Sequence, residues 1–249
     1  MPHSRFTGMG SEASQRPSDD SMKLHDSMLT AVQGTYRAIG RRRNEDAICV
    51  VESPHYVIYT VFDGVGSAPD AYEAVKMAVS FIKRHHGKHL LPSRYPALNE
   101  LFFDLHSELL ASSLSTPLAA FLSLCVPRDL SHAAYYSGLG DVRLYAVSAN
   151  YLKQLSVDDS LSRNVITKCL GTVGLNQSHF TVSSVPQHES RLLVCSDGFY
   201  TIMDGLLAKM HSSVAMSSLP RAKAQIDAMI DGHNHDDSTY VIVDRHVQN

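Results

Sequence analysis

The sequence predicts an α+β fold, a four-layer α-β-β-α sandwich of two mainly antiparallel sheets flanked by helices. Apolar, β-branched segments typical of strands dominate the chain from residue 31 onward, and a pair of helical segments interrupts them. The regular strand–helix alternation of a parallel, doubly wound sheet is missing. Strand-rich segments on both sides of a helical pair therefore indicate two sheets packed face to face, with helices outside.

Each element is predicted from its local pattern. The first long helix has small and aliphatic residues near helical spacing, and Pro96 suits the first turn of the second helix. The predicted strands cover residues 28–40, 46–53, 55–63, 117–126, 132–140, 142–147, 151–157, 179–186, 190–197 and 238–244. The predicted helices cover residues 67–90, 95–114, a short piece within 161–171, a segment after Gly198, and 219–230.

The first residues differ in composition from the rest of the chain. Residues 1–28 are rich in Ser, Met, Asp and Gly and have little aliphatic periodicity, so we expect a mobile N-terminal tail. They lack the charged start and apolar stretch of a secretory signal peptide. Residues 29–249 are predicted to form one domain with a well-filled core.

Composition excludes several classes of protein. The net charge of −3 argues against a nucleic-acid binder, and no run of eighteen apolar residues predicts a membrane span. The four cysteines show no C-x-x-C spacing, which argues against a zinc site and favours buried thiols in a reducing compartment. We therefore expect a cytoplasmic protein, and by default a monomer.

Acidic residues recur at the margins of predicted strands. Asp63 and Asp197 each end an apolar run and each precede a glycine, while Asp236 and Asp237 stand just before the last strand. Glu45 and Asp46 precede a further strand, "ICVV". Several such margins can converge at one end of a sandwich, where the carboxylates would repel one another unless protons or cations neutralise them.

Oxygen ligands favour hard cations such as Mg²⁺ and Mn²⁺. Two such ions held by carboxylates activate a water molecule and stabilise in-line displacement at phosphorus. A guanidinium can clamp the substrate phosphate in a bidentate manner, and Arg41, Arg42 and Arg43 lie beside the acids. For Arg42 and Arg43, a solvated charged turn is an equally good interpretation.

Seven segments together resemble the successive motifs of the type 2C, metal-dependent protein serine/threonine phosphatases, a family known as PPM. They occur in the family's order, cover about residues 31–245, and suggest a short, bacterial-like branch. A single D-G pair is a weak signal, but seven motifs in order are a strong one. The segments are "RRRNEDA", "VFDGVG", "SGLGDVRLYAV", "QLSVDDSL", "NVITKCLG", "LLVCSDGF" and "DDSTYVIV".

The resemblance implies a type 2C phosphatase-like domain over residues 29–249 and roles for its residues. Mn²⁺ or Mg²⁺, two ions per site, would be held by a metal-binding set, and a metal-bridging hydroxide would attack phosphoserine or phosphothreonine directly. Arg41 would bind the substrate phosphate, and Arg41, Asp63 and Asp197 would be the catalytic residues. Glu45 and Asp46 would hold metal-bound waters. The metal-binding set is Asp46, Asp63, Gly64 (through its carbonyl), Asp197 and Asp236.

The chain departs from the family pattern at several places. Val65 stands where many members have a histidine proposed as the general acid, and Asp237 replaces an asparagine. The acid that binds a third metal in bacterial members is matched to Ser113 or a neighbour, so a weak or absent third site is expected. Asp141 is interpreted as structural, holding a turn. The segment that usually forms a flap is about twenty residues shorter, which predicts an open site.

Other interpretations remain beside the enzyme. One is a catalytically weak or inactive phosphatase-like module that binds a phosphoprotein or a regulatory partner. A response-regulator receiver would need alternating strands and helices, and an aspartyl phosphotransferase would need an acid at Val65. His233 and His235, in "DGHNHDD", could form a metal pair but fit a polar loop better. The expected partners are a phosphorylated protein substrate and a cognate Ser/Thr kinase, with no nucleic acid and no membrane.

Overall fold

The computed structural model describes residues 28–90, 96–162 and 165–246. The predicted tail, residues 1–28, lies outside this part of the chain except for its last residue. The strands are β1 (Met28–Tyr36), β2 (Asp46–Glu52), β3 (Tyr56–Gly64), β4 (Ala119–Pro127), β5 (Tyr135–Leu139), β6 (Arg143–Val147), β7 (Leu152–Gln154), β8 (Ser160–Ser162), β9 (Val165–Ile166), β10 (Ser183–Ser184), β11 (Arg191–Cys195) and β12 (Ser238–His246). The helices are α1 (Ala71–His89), α2 (Leu98–Ala111), α3 (Asp197–Gly205), α4 (Leu207–Val214) and α5 (Leu219–Ile230).

Two five-stranded antiparallel sheets form the centre of the fold. Sheet A has the strand order β1-β12-β11-β6-β7, and sheet B has the order β10-β5-β4-β3-β2. Helices α1 and α2 cover the outer face of sheet B, and α3, α4 and α5 cover that of sheet A. The predicted α-β-β-α sandwich is thereby confirmed.

Strand β3 illustrates how the sequence builds these layers. Val57, Tyr59 and Val61 belong to the core between the sheets, whereas Ile58 and Phe62 belong to the core beneath α1 and α2. Successive side chains of a strand point to opposite faces, so a strand buried on both sides is apolar at nearly every position. The polar Thr60 of this strand is also buried, and its hydroxyl donates a hydrogen bond to Ser123 Oγ. This is why the run "YVIYTVF" ends only at Asp63.

Several predicted elements differ from the structure. The strand predicted over 179–186 is only the two-residue β10, and the single helix predicted after Gly198 is two helices, α3 and α4. The short helix predicted within 161–171 is wrong, because the described residues there form the β8–β9 hairpin and a turn. The β-branched Val165 and Ile166 favour this extended backbone. Strand β1 ends at Tyr36 rather than at residue 40, since the N–H groups of Ala38 and Ile39 donate to Asp237 Oδ1 and the Asn234 carbonyl instead of a neighbouring strand.

All four cysteines are buried and free, as the spacing predicts. Among the described residues, no helix combines the length and the apolar character that crossing a membrane requires.

Candidate active site

The strand-margin acids converge at one end of the sandwich, around a cavity of about 520 Å³. Asp63 is near the end of β3, Asp197 starts α3 directly after β11, and Asp236 lies just before β12. Sheet B thus supplies one side of the site and sheet A the other. Of the predicted residues, the structure brings together Arg41, Asp63, Gly64, Asp197 and Asp236 along this cavity.

Asp46 lies beneath the cavity rather than on its wall. It is the direct antiparallel partner of Asp63, an arrangement that is destabilising for two like charges. Its side chain is buried, and its Oδ2 accepts a hydrogen bond of 2.7 Å from Ser196 Oγ at the end of β11. Asp46 therefore joins sheet B to sheet A under the floor of the site.

Burial and mutual repulsion raise the pKa values of the clustered acids. Desolvation is the main cause for Asp63 and Asp46, and nearby carboxylates add to it. The pKa of Asp197 is raised by burial and then by Asp236, although a hydrogen bond with Asp63 opposes the shift. Burial, followed by repulsion from Asp197, raises the pKa of Asp141 to about 6. This end of the molecule thus concentrates negative charge that protons or cations must neutralise.

The donors fit hard divalent cations. They are carboxylate oxygens together with the Gly64 carbonyl at the strand end, which is the ligand chemistry of Mg²⁺ and Mn²⁺. One oxygen, Asp141 Oδ1, is buried without any hydrogen-bond partner. As the side chains stand, no group of three or more His, Cys, Asp or Glu in the described ranges is already arranged to hold a metal ion.

Arg41 is the cationic residue on the cavity wall. Its Nη2 lies 2.8 Å from Asp236 Oδ1, and its Nη1 lies 3.2 Å from both Glu45 Oε2 and Asp237 Oδ2. The guanidinium also borders Gly66, where an added Cβ would stand 3.1 Å from Nη2. Arg41 is thus held at the mouth of the site by three carboxylates, one of which belongs to the predicted metal-binding set.

Asp237 is turned away from the cavity toward the segment that carries Arg41. Its Oδ1 accepts the Ala38 N–H at 2.6 Å, and its Oδ2 accepts the Glu45 N–H at 2.7 Å in addition to Arg41 Nη1. Only 2% of Asp237 is exposed. Its charge adds to the negative field, since it raises the pKa of Asp46, but its oxygens anchor the Arg41 segment.

Glu45 stands beside Arg41 and lines a smaller adjoining cavity of about 390 Å³ with the three arginines and Gly66. It does not line the larger cavity. Its carbonyl accepts the Gly64 N–H at 3.2 Å, which fixes the end of β3 against the start of β2. Burial raises the pKa of Glu45, while Arg41 opposes that shift.

Two glycines allow the close backbone contacts at this end. At Gly198 an added Cβ would lie 2.2 Å from the Asp237 carbonyl oxygen, so a side chain there would push α3 away from β12. Gly140 has φ +101° and faces Ala120 Cβ, which makes a side chain unfavourable both sterically and conformationally. Gly140 thereby sets the turn that carries Asp141 into the cavity.

The match to known proteins agrees with this architecture. The family model "Protein phosphatase 2C" matches residues 33–231. The chain belongs to the protein phosphatase 2C family. Comparison with curated protein sequences gives no significant match.

Solved structures show the same fold. A PPM Ser-Thr phosphatase, MsPP from Mycobacterium smegmatis, superimposes with a TM-score of 0.71 at 20% identity, over 87% of this chain and 98% of that chain. The S. agalactiae serine/threonine phosphatase has a TM-score of 0.73 at 15% identity, over 88% of this chain and 100% of its own. RsbX in complex with magnesium has a TM-score of 0.65 at 13% identity, over 89% and 96% of the respective chains.

Within this phosphatase 2C chain, the structure places Ser113 outside the cavity and Asp141 on its wall. Ser113 is exposed in the loop after α2 and does not line the cavity. Asp141, interpreted from the sequence as a turn residue, lines the cavity beside Asp197 with its unpartnered Oδ1. The sequence does contain a signal that Asp141 lies at the site. The motif "GLGD" joins two strands, and Gly140 places the next residue, Asp141, at a sheet margin like the other acids.

The segment expected from the sequence to be a shortened flap borders the site. Val165, Ile166 and Thr167, at β9 and just after it, line the cavity, as do Val65 and Gly66. His233 and His235 lie on another side of the acids, where they line a separate cavity that also contains Asp197 and Asp236.

Proposed function

We propose that this protein is a metal-dependent phosphatase that hydrolyses phosphoserine and phosphothreonine in proteins. The observation that carries the proposal is the convergence of four carboxylates and Arg41 on one cavity, in a chain of the protein phosphatase 2C family. A phosphomonoester carries negative charge, and four carboxylates with a single arginine would repel it. Bound cations are therefore needed to make the cavity attractive to this substrate.

Two Mn²⁺ or Mg²⁺ ions would be held by Asp63, the Gly64 carbonyl, Asp197 and Asp236, with Asp46 and Glu45 behind them. When bound, such ions neutralise the acids and activate water for attack on phosphorus. Asp141 offers the same cavity a further oxygen donor.

Arg41 would orient the substrate. Its guanidinium already points into the site and is held there by Asp237 and Glu45, so a phosphate that replaces Asp236 as its partner meets a positioned bidentate donor. Val65 lines the cavity but carries no proton to donate, so this side chain does not protonate the leaving alkoxide.

The test is hydrolysis of p-nitrophenyl phosphate and a phosphothreonine peptide with Mn²⁺, with Mg²⁺ and with EDTA. We expect turnover only with a divalent cation, and its loss in Asp63→Asn and Asp197→Asn. Arg41→Ala should raise KM for both substrates by about tenfold or more, since a charge-assisted bidentate contact is lost. Arg42→Ala is the matched control, because Arg42 is exposed beside Arg41. A folded protein without turnover under any of these metals would contradict the proposal.

A second candidate is a module that binds a phosphoprotein or regulatory partner without turnover. What favours it is that Ser113 or a neighbour stands where bacterial members carry the acid that binds a third metal. Phosphopeptide binding without hydrolysis in the presence of Mn²⁺ would identify this activity.

The proposed setting follows from the substrate class. The partners would be a phosphorylated protein and the Ser/Thr kinase that modifies it, with no nucleic acid or membrane required. Four free buried thiols are compatible with a reducing cytoplasm. We propose that the protein acts there as a monomer, organised as a domain over residues 29–249.

A further inference from the structure

A second cavity, which we call the α3 cavity, lies beside the candidate active site and is not used by the proposed chemistry. Its volume is about 620 Å³. It shares Asp197 and Asp236 with the catalytic cavity, so the two spaces meet at the acids. The α3 cavity is lined by Asp197, Gly198, Tyr200, Thr201, Ile202, Gly205, Leu206, His233, His235 and Asp236.

The residues that line the α3 cavity combine an aliphatic wall with acids and include no Lys or Arg. Ile202 and Leu206 supply aliphatic walls on one side of α3 and just beyond its end. Lys and Arg are absent from the residues that line it, and the acids it contains are those shared with the catalytic cavity. An acidic side chain would therefore be repelled, and a basic one would gain little, because the cations proposed for the catalytic cavity would already engage Asp197 and Asp236. An apolar side chain would gain free energy by removing its surface, and that of Ile202 and Leu206, from water, so the lining favours an apolar occupant.

One residue that lines the α3 cavity, Gly205, has room for a side chain. At Gly205, in the last position of α3, a Cβ built on the backbone meets no atom within 4 Å. Its backbone does not have the positive φ that would demand glycine. A larger residue at this position would therefore extend into open space without displacing packed atoms.

We propose that the α3 cavity binds an apolar side chain of the phosphoprotein substrate, from the segment that flanks the phosphorylated Ser or Thr. This inference rests on the proposed function, because the phosphoryl group must occupy the adjoining catalytic cavity. A flanking residue is tethered to that group and reaches the α3 cavity past Asp197 and Asp236. The imidazoles of His233 and His235 lie at the same cavity and can form hydrogen bonds with the peptide backbone.

The experiment compares phosphothreonine peptides that carry Leu, Gly or Lys next to the phosphorylated residue, placed on either side in separate peptides. We expect kcat/KM to be about tenfold higher for one of the Leu peptides than for its Gly counterpart, because a filled apolar pocket discriminates at about that level. Gly205→Phe should reduce this ratio to about one. Gly87→Phe is the matched control, since Gly87 also lies in a helix with open space around its Cβ and is remote from the cavity.

Binding is measured in parallel, so that the result does not depend on turnover. Fluorescence anisotropy with phosphonate analogues of the same peptides should give the same Leu-over-Gly preference, and Gly205→Phe should remove it. If the wild-type protein hydrolyses nothing, the proposed function fails while this binding preference still tests the α3 cavity. A Leu-over-Gly ratio that survives Gly205→Phe, or a wild-type preference for Gly or Lys, would overturn the inference.

Discussion

A single buried carboxylate, that of Asp237, binds the segment that carries Arg41 at three points. It accepts hydrogen bonds from the backbone before Arg41, from the backbone after it, and from the guanidinium itself. Because Arg41 lies on a loop, its position depends on such anchors more than on the loop's own conformational preference. Asp237 therefore acts on the site through Arg41.

Replacing Asp237 with Ala should lower the free energy of unfolding by about 1–3 kcal/mol for each buried N–H donor that loses its partner. It should also raise KM for p-nitrophenyl phosphate, because Arg41 is no longer held. Asp237→Asn keeps one acceptor and should fall between wild type and Asp237→Ala in both respects. Urea denaturation and steady-state kinetics measure these effects, and Asp231→Ala, at an exposed position of the same loop, is the control. Equal values for Asp237→Ala and Asp231→Ala would show that the anchor is dispensable.

At the scale of elements, the far end of sheet A depends on a buried ion pair. Arg191 of β11 forms a bidentate pair with Asp244 of β12, with Nη2 at 2.6 Å from Oδ2. Its Nη1 donates to the Val214 carbonyl at 2.9 Å and to the Met216 carbonyl, so the same guanidinium ends α4. The pair thus connects two strands and a helix.

Asp244→Ala should lower the free energy of unfolding by about 3–5 kcal/mol, because it leaves the Arg191 charge buried and uncompensated. The double variant Arg191→Met, Asp244→Leu should recover much of that loss, since it removes both charges. Chemical denaturation measures the effect, with the exposed Asp129→Ala as the control. A single variant as stable as wild type would contradict this account of the ion pair.

His106 connects α2 to the turn that follows the β8–β9 hairpin. Its Nδ1 accepts the Gly171 N–H at 3.2 Å, its Nε2 is buried without a partner, and burial lowers its pKa. The stabilisation by the neutral ring is complete above the unfolded pKa of about 6.5 and is lost as pH falls through the lower folded pKa. The stability of wild type relative to His106→Gln should therefore decrease from pH 7 to pH 5. The control is His55→Gln, at an exposed position, which should show no such trend. If the stabilities of wild type and His106→Gln changed with pH in parallel, the neutral His106 ring would not stabilise the fold as described.

Local patterns sufficed for most elements but not for all of them. The apolar runs of β3, β4 and β11 are buried on both faces, so composition alone identified them. The segment at 161–171 was misassigned because a two-residue strand such as β9 is too short for a period to be visible. Helices α3 and α4 were predicted as one segment, because only Leu206 separates them and Gly205, the helix-ending signal before it, was not used.

At the scale of the whole molecule, the candidate active site lies where the ends of the two sheets meet. Strand margins could be read from the sequence, and so could the acids on them. Contacts such as Asp237 with Ala38, or Ser196 with Asp46, join residues far apart in the chain, and no local pattern encodes them. The direction of the Asp141 side chain belongs to the same class, because it depends on the backbone of Gly140 rather than on residue type.

The concentration of acids predicts a characteristic pH dependence of stability. The pKa of Asp141 is raised to about 6, so the folded state binds its proton more tightly than the unfolded chain, whose pKa is about 3.9. The folded state is therefore stabilised by protonation of Asp141. This contribution is complete below about pH 4 and is lost as pH rises through about 6. In EDTA, Asp141→Asn should therefore gain stability over wild type between pH 4 and pH 7, by about 2 kcal/mol. Chemical denaturation at both pH values measures the gain, and a pH-independent difference would contradict it.

The division of the acids between the sheets also has a kinetic consequence. A chain in which only one sheet has formed holds Asp46 and Asp63, or Asp197 and Asp236, but not both pairs. A divalent cation bound as proposed would therefore stabilise the docked sandwich and not the partly folded states that precede it. Saturating Mn²⁺ should slow unfolding while it leaves the folding rate nearly unchanged, because the proposed ion would bind only after the two sheets have docked, later than the transition state for folding.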